Sequence, residues 1–224
     1  NPLQLGVGAK SGCESIIHAT QALLTDSTIP ANSKWILQID FCNAFNSIDR
    51  SHLFQEVRRH APGLSAYVEW AYGSHPHLFF GDKTLLSETG LQQGDPLGPL
   101  LFAVALHPIL CRILEEVPGV LLNAWYLDDG TLVGTYPELL KAYLILQEDC
   151  PGIGLRISLP KTVLWRHPSC RDLPLPVTES APTIPEVTSD GIVLSGAPVG
   201  LPSFCRQTIT SRVKKLTDLM DKLE

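Results

Sequence analysis

Three carboxylates stand out by type and setting. Asp40 ends the apolar run Lys34-Trp35-Ile36-Leu37-Gln38-Ile39, and Asp128-Asp129 lies between two short β-rich runs, Leu121 to Tyr126 and Thr131 to Gly134. Hard divalent cations such as Mg²⁺ take oxygen ligands, usually one or two carboxylates plus substrate phosphates, because Mg²⁺ gives up its water reluctantly. Two such ions roughly 3.5–4 Å apart stabilise both the attacking and the leaving oxygen of an in-line phosphoryl displacement. Acids carried on separate strands that a fold unites therefore point to nucleotidyl transfer. An Asp-Asp pair alone is a weak signal, because adjacent acids often mark only a solvated turn. The ordered set is stronger. Asp40 is followed by an aromatic at Phe45, then by Gly90-Leu91-Gln92-Gln93-Gly94-Asp95 ahead of a long apolar segment, then by the aromatic-flanked acid pair.

Other chemistry-bearing residues read more plainly. Gly6-Val7-Gly8-Ala9-Lys10-Ser11 has the outline of a phosphate loop, but Ala9 and Gln4 stand where glycine is needed, so it reads as a loop entering a helix. His18, His60, His75, His77 and His107 show no metal spacing with cysteine, and zinc is not expected. Trp35, Trp70, Trp125 and Trp165 read as core residues, and none is assigned to nucleic acid. Phe45 reads either as a core aromatic or as part of a site, and Lys161 as a solvated lysine or a phosphate contact.

The elements that must position the acids follow from periodicity and punctuation. Ser11 to Leu24 predicts a helix opened by a Ser11/Glu14 capping box. Lys34 to Asp40 predicts a strand buried on both faces, followed by short helices near Ser51–His60 and Leu64–Tyr72. Gly81-Asp82-Lys83 joins His77–Phe80 to Thr84–Ser87 as a hairpin. From Pro96 a buried apolar helix is expected to run to about Glu116. The acid pair should sit in solvent at the tip of a second hairpin. A helix over Pro137–Asp149 and a strand beginning at Gly154–Ile157 and leading to Lys161 come next. Seven prolines between Pro168 and Pro202 predict a loop carrying one strand, Ile192-Val193-Leu194. Ile209, Val213, Leu216, Met220 and Leu223 form a helical seam at the end of the chain.

Composition narrows the class. The 224 residues are 44% apolar, with 17 Lys and Arg against 23 Asp and Glu, which excludes disorder and fibres and supports a packed core. The net charge of −6 argues mildly against a surface that grips a polyanion through its phosphates. The longest apolar stretch, Leu97 to Leu106, stops at His107-Pro108, so no membrane partner is expected. Six cysteines without a CxxC predict reduced thiols and an intracellular setting. A start at Asn1 and an end within a helix suggest a fragment.

Over nearly its whole length the sequence resembles the reverse transcriptases, most closely the type encoded by non-LTR retrotransposons. Gln38-Ile39-Asp40-Phe41-Cys42-Asn43-Ala44-Phe45 resembles the first palm motif, and Gly90-Leu91-Gln92-Gln93-Gly94-Asp95-Pro96-Leu97 the second. Tyr126-Leu127-Asp128-Asp129 resembles the catalytic hairpin, Gly154-Leu155 with Lys161-Thr162 the fourth motif, and Leu194 to Gly200 the primer-grip hairpin. The resemblance implies an α+β fold, a polymerase palm with an antiparallel sheet backed by helices, partial fingers over 1–33, palm over 34–200 and the start of a thumb over 201–224. It implies an RNA-directed DNA polymerase acting on an RNA template, a DNA primer and dNTPs, with two Mg²⁺ ions, or Mn²⁺ as a substitute. Asp40, Asp128 and Asp129 would be the catalytic metal ligands; Phe45 would screen the sugar, Gln93 and Gly94 would contact template and nucleotide, and Lys161 the phosphates. Leu127 replaces the common Ala or Met, Asp95 the usual Ser or Thr, and Ser158 a common Asn. Basic fingers strands should precede Asn1, and most of the thumb should follow Glu224. The competing expectation is a decayed or domesticated module that binds without catalysing, which the acidic charge favours and the intact acids oppose.

Overall fold

The computed structural model describes residues 3–170, the backbone of 186–187, and residues 190–222. The helices are α1 (Gly12–Thr25), α2 (Ala44–Ser47), α3 (Arg50–His60), α4 (Ser65–Tyr72), α5 (Gly98–Glu116), α6 (Tyr136–Asp149) and α7 (Pro202–Met220). The strands are β1 (Trp35–Ile39), β2 (His77–Phe80), β3 (Lys83–Leu86), β4 (Leu122–Tyr126), β5 (Asp129–Gly134), β6 (Val163–Arg166), β7 (Glu186–Val187), β8 (Gly191–Leu194) and β9 (Ala197–Gly200).

A five-stranded sheet in the order β4-β5-β1-β6-β7 organises the chain; β2-β3 and β8-β9 are separate hairpins. All pairings within the larger sheet are antiparallel except β6 with β7. β1 lies near the middle and is buried on both faces, as its unbroken apolar run requires. Trp35, Leu37 and Ile39 pack into the main core with α5 and α6, while Ile36 packs on the opposite face with Leu24, Val133, Trp165, Ile192 and Leu194. Each such side chain contributes about 1.5–3 kcal/mol relative to exposure. β1 therefore fixes Asp40 at the edge of a rigid floor.

Several expectations need correcting. Ser11 takes a left-handed conformation (φ 53°) and makes no side-chain cap, because a capping hydroxyl reaches the first turn from extended backbone. The capping box occurs instead at Thr135/Glu138, opening α6. α5 starts at Gly98 rather than Pro96: Asp95 Oδ1 accepts from Leu97 N at 2.8 Å, and Pro99 occupies the first turn. By length and composition α5 could cross a membrane, but Leu101, Phe102, Ala105, Leu106, Leu110 and Ile113 bury it in the core. The strand expected from Gly154 is a single bridge, Ile157 to Phe41, and the true neighbour of β1 is β6. Trp35, Trp125 and Trp165 are buried as expected, but Trp70 is 77% exposed. The predicted loop strand is β8, paired with β9; residues 171–185 of that loop and Leu223 of the terminal seam lie outside the described residues. All six cysteines are free.

Candidate active site

The acid-bearing hairpin is tighter than expected. Tyr126 pairs with Asp129, so Leu127 and Asp128 alone form the loop between β4 and β5. Asp128 holds the tip, whereas Asp129 is the first residue of β5; both are partly buried rather than in open solvent. Leu127 has φ 57°, a conformation that costs a residue with a Cβ about 1–2 kcal/mol. The segment before α1 holds it there. Leu3 and Leu5 hydrogen-bond to Trp125 in β4, and the Gln4 side chain both accepts from Leu127 N (2.7 Å) and donates to Leu127 O (3.0 Å).

Asp40 is held by the turn that follows α6. Ser158 N donates to Asp40 O at 2.8 Å, and Asp40 N donates to Thr162 Oγ1 at 3.3 Å. Ser158 O accepts from both Lys161 N and Thr162 N, and this turn carries the Lys161 ammonium to 3.3 Å from Asp40 Oδ1. With Lys161 largely exposed, the pair is worth about 0–1 kcal/mol and parts easily.

The Gly-rich segment is tied to the same floor. Leu91 N donates to Phe45 O at 2.7 Å, Gly90 N to Ile48 O at 2.8 Å, and Thr89 Oγ1 to Asn46 O at 3.0 Å. Buried Arg50 donates to the carbonyls of Gly90, Ser87 and Thr89 and to Ser87 Oγ. Its guanidinium also lies over the Tyr72 ring, 5.5 Å from the centroid, and burial lowers its pKa. The Tyr72 hydroxyl donates to Asp95; burial and that bond push its pKa up to about 12. Phe45 stacks on Phe102 with ring centroids 4.7 Å apart.

These ties bring Asp40, Phe45, Gln93, Asp128 and Lys161 around one open cleft of about 220 Å³. Asp129 adjoins it electrostatically: burial raises its pKa, and the charges of Asp128 and Asp40 raise it further. Asp128 is raised in the same way, first by burial and then by Asp40, with Lys161 opposing. Gly94 is not on this cleft; it lines a neighbouring one with Gln92, Gln93 and α4. Among the described residues, no three His, Cys, Asp or Glu side chains form a ready metal cage. The donors nevertheless suit a hard divalent cation, which needs only one or two carboxylates when phosphates supply the rest. Burial first and the crowding of acids second raise both carboxyl pKa values, with Lys161 opposing, a setting that a bound cation would relieve.

Sequence reasoning missed Gln4, Arg50 and the Tyr72–Asp95 bond. The clearest signal was Asp95 itself, an acid in an otherwise uncharged Gly-Gln segment.

Comparison with known proteins agrees with this geometry. Residues 4–183 match the family model described as reverse transcriptase (RNA-dependent DNA polymerase). The chain is 27% identical over 130 residues to the Pol polyprotein of the type-2 retrotransposable element R2DM of Drosophila melanogaster, covering 55% of this chain and 12% of that protein. It is 26% identical over 167 residues to the SLACS 132 kDa retrotransposable-element protein of Trypanosoma brucei gambiense, covering 71% of this chain and 13% of that protein. The chain thus spans about an eighth of these relatives. Among solved structures, telomerase from Candida albicans, in complex with a fragment of telomeric RNA, superposes with a TM-score of 0.51 at 14% identity, covering 86% of this chain and 32% of that one. That likeness is one of fold. The family match spans most of the chain, acids, Gly-rich segment and Lys161 included, and on that ground the chain belongs to the reverse transcriptase family, the RNA-dependent DNA polymerases.

Proposed function

We propose that this chain is the catalytic palm of an RNA-directed DNA polymerase that extends a DNA primer along an RNA template. The observation that carries the reading is the single cleft uniting Asp40, Phe45, Gln93, Asp128 and Lys161 from four separate parts of the sequence. Asp40 and Asp128 would be the main metal ligands, with Asp129 supporting them near the primer end. When bound, two Mg²⁺ ions, or Mn²⁺ in their place, supply activation of the primer 3′-hydroxyl and neutralisation of the leaving pyrophosphate. Phe45 presents a ring where a ribose 2′-hydroxyl would clash, selecting deoxynucleotides by exclusion. Lys161, freed from Asp40, reaches the triphosphate as a point charge or a proton donor. Gln93 and Gly94 face the template and the incoming base. Residues 1–33 would belong to the fingers, 34–200 to the palm and 201–224 to the thumb, in a protein working inside the cell.

The test is dNTP incorporation on a primed RNA by the complete parent polymerase, with Asp128→Asn as control and folding checked by circular dichroism. Extension that depends on Mg²⁺ and disappears in the variant is the expected result. A folded complete protein that extends nothing would sink the reading and leave a non-catalytic module.

A further inference from the structure

Helix α4 is eight residues long and buries two of them fully, Val68 and Tyr72, spaced i, i+4. Its outer side carries Tyr67 and Trp70 at i, i+3, with ring centroids 5.9 Å apart and planes tilted by 46°. Trp70 is 77% exposed, whereas Trp35, Trp125 and Trp165 are at most 2% exposed. Phe79 and Phe80 on β2 are equally open, so what sets Trp70 apart is the cleft that it and Tyr67 line.

The two rings do not stand alone. Together with Tyr72, Gln92, Gln93, Gly94 and Asp95 they line an open cleft of about 530 Å³, within the range of ligand sites. Tyr72 ties the helix to the far wall: its hydroxyl donates to Asp95, and Gln92 N donates to it at 3.4 Å. Gln93 lines both this cleft and the one that holds Asp40 and Asp128, so the two are neighbours. Gln92 and Gln93 are exposed and offer amide donors and acceptors, and an added Cβ at Gly94 would meet nothing within 4 Å.

None of the lining residues is basic. The nearby Arg58 is engaged by Glu69 at 2.7 Å. An occupant would therefore be recognised by flat faces and hydrogen-bonding edges rather than by phosphates. Bases of a single strand meet that description, since every base offers a π-face for stacking and the amides suit base edges.

We propose that Tyr67 and Trp70 form a stacking platform for unpaired bases of the strand being copied, in the cleft that adjoins the acid-lined one at Gln93. The proposal rests on the polymerase reading for the identity of that strand. It also fits a chain of net charge −6, because stacking needs no cationic surface.

The exposed tryptophan supplies the readout. Acrylamide quenching of this chain should report Trp70 almost alone. An oligoadenylate of about 12 nucleotides, within the usual site sizes, should protect Trp70 from the quencher, and an abasic strand of equal length should not. Trp70→Ala should weaken oligoadenylate binding about five- to a hundredfold, and Trp70→Phe should restore most of it. Affinity should change by less than about tenfold between 50 and 200 mM salt, well below the loss expected of a phosphate-gripping surface. Equal protection by the abasic strand, unchanged binding by Trp70→Ala, or protection only by a protein partner would overturn the proposal. Binding here is read without catalysis. A polymerase that extends primers but shows no protection refutes the platform alone, and protection without extension refutes the polymerase reading alone.

Discussion

Gln4 and Leu127, 123 positions apart, form a two-way hydrogen-bonded pair: the Gln4 amide accepts from the Leu127 N–H and donates to its carbonyl, at 2.7 and 3.0 Å. Leu127 is the residue beside Asp128 with a left-handed backbone, so the amide holds the strained peptide that aims the tip carboxylate. The acid-bearing hairpin is thus set from outside its own sequence.

Gln4→Ala should lower incorporation about tenfold, mostly in kcat, while costing about 1–2 kcal/mol in urea unfolding, the usual range for losing hydrogen bonds to a half-buried group. Adding Leu127→Gly removes the conformational cost and should recover part of the stability but not the activity. Activity unchanged in Gln4→Ala would show that the hairpin needs no such support.

Burial first, and the neighbouring acids next, raise the carboxyl pKa values of Asp128 and Asp129. The folded chain then holds their protons more tightly than the unfolded chain. Stability from these groups falls as pH rises from the unfolded value through the raised folded value. Without metal, Asp128→Asn should therefore be more stable than the parent at pH 7, with a melting midpoint up by about 1–4 °C, and equal to it below about pH 3. Mg²⁺ should raise the parent's midpoint and leave the variant's unmoved. Incorporation should drop at least about a hundredfold. A variant less stable than the parent at pH 7 in chelator would contradict the electrostatic account.

How far the site was legible depended on whether its determinants were local. Asp40 at a strand end and Asp128 at a hairpin tip announce themselves by period and punctuation, and the structure puts both on one cleft. Lys161 was visible as a residue, but the strand expected to carry it was misplaced. Leu155 and Ile157 alternate with Arg156 as in a strand, and Val163-Leu164-Trp165 is an apolar run; the turn at Ser158–Thr162 separates the two, and only the second pairs along β1. Gln4 and Arg50 act on peptides far along the chain and leave no pattern in their neighbourhood. Trp70 was read as core because the sequence does not say which side of a short amphipathic helix turns inward; Val68 and Tyr72 took that place.

Phe45 lines the cleft that holds Asp40 and Asp128 while its ring stacks on Phe102. Phe45→Val should widen the sugar site and raise the relative kcat/KM for ribonucleotides by at least about tenfold. Loss of the stacked pair should cost about 1–3 kcal/mol. Discrimination is read as the ratio of dNTP to rNTP incorporation, which a purely structural role would leave unchanged.

Two glycines of the second motif separate packing from function. Both have positive φ, 72° at Gly90 and 92° at Gly94. At Gly90 a Cβ would lie 2.3 Å from the backbone carbon of Asn46, in α2 beside Phe45, and backbone there has no free end to move aside. At Gly94 the same atom meets nothing within 4 Å, so only the conformational penalty remains, about 1 kcal/mol. Gly90→Ala should cost about 3 kcal/mol or more and detach the Gly-rich segment from α2. Gly94→Ala should unfold within about 1 kcal/mol of the parent yet raise the Kd for a primed template, because on the proposed reading the base pair approaches through the open space beside it. If Gly94→Ala bound primed template as the parent does, the glycine would be there for its turn alone; if Gly90→Ala were as stable as Gly94→Ala, the contact between the Gly-rich segment and α2 would not be the joint that holds the cleft together.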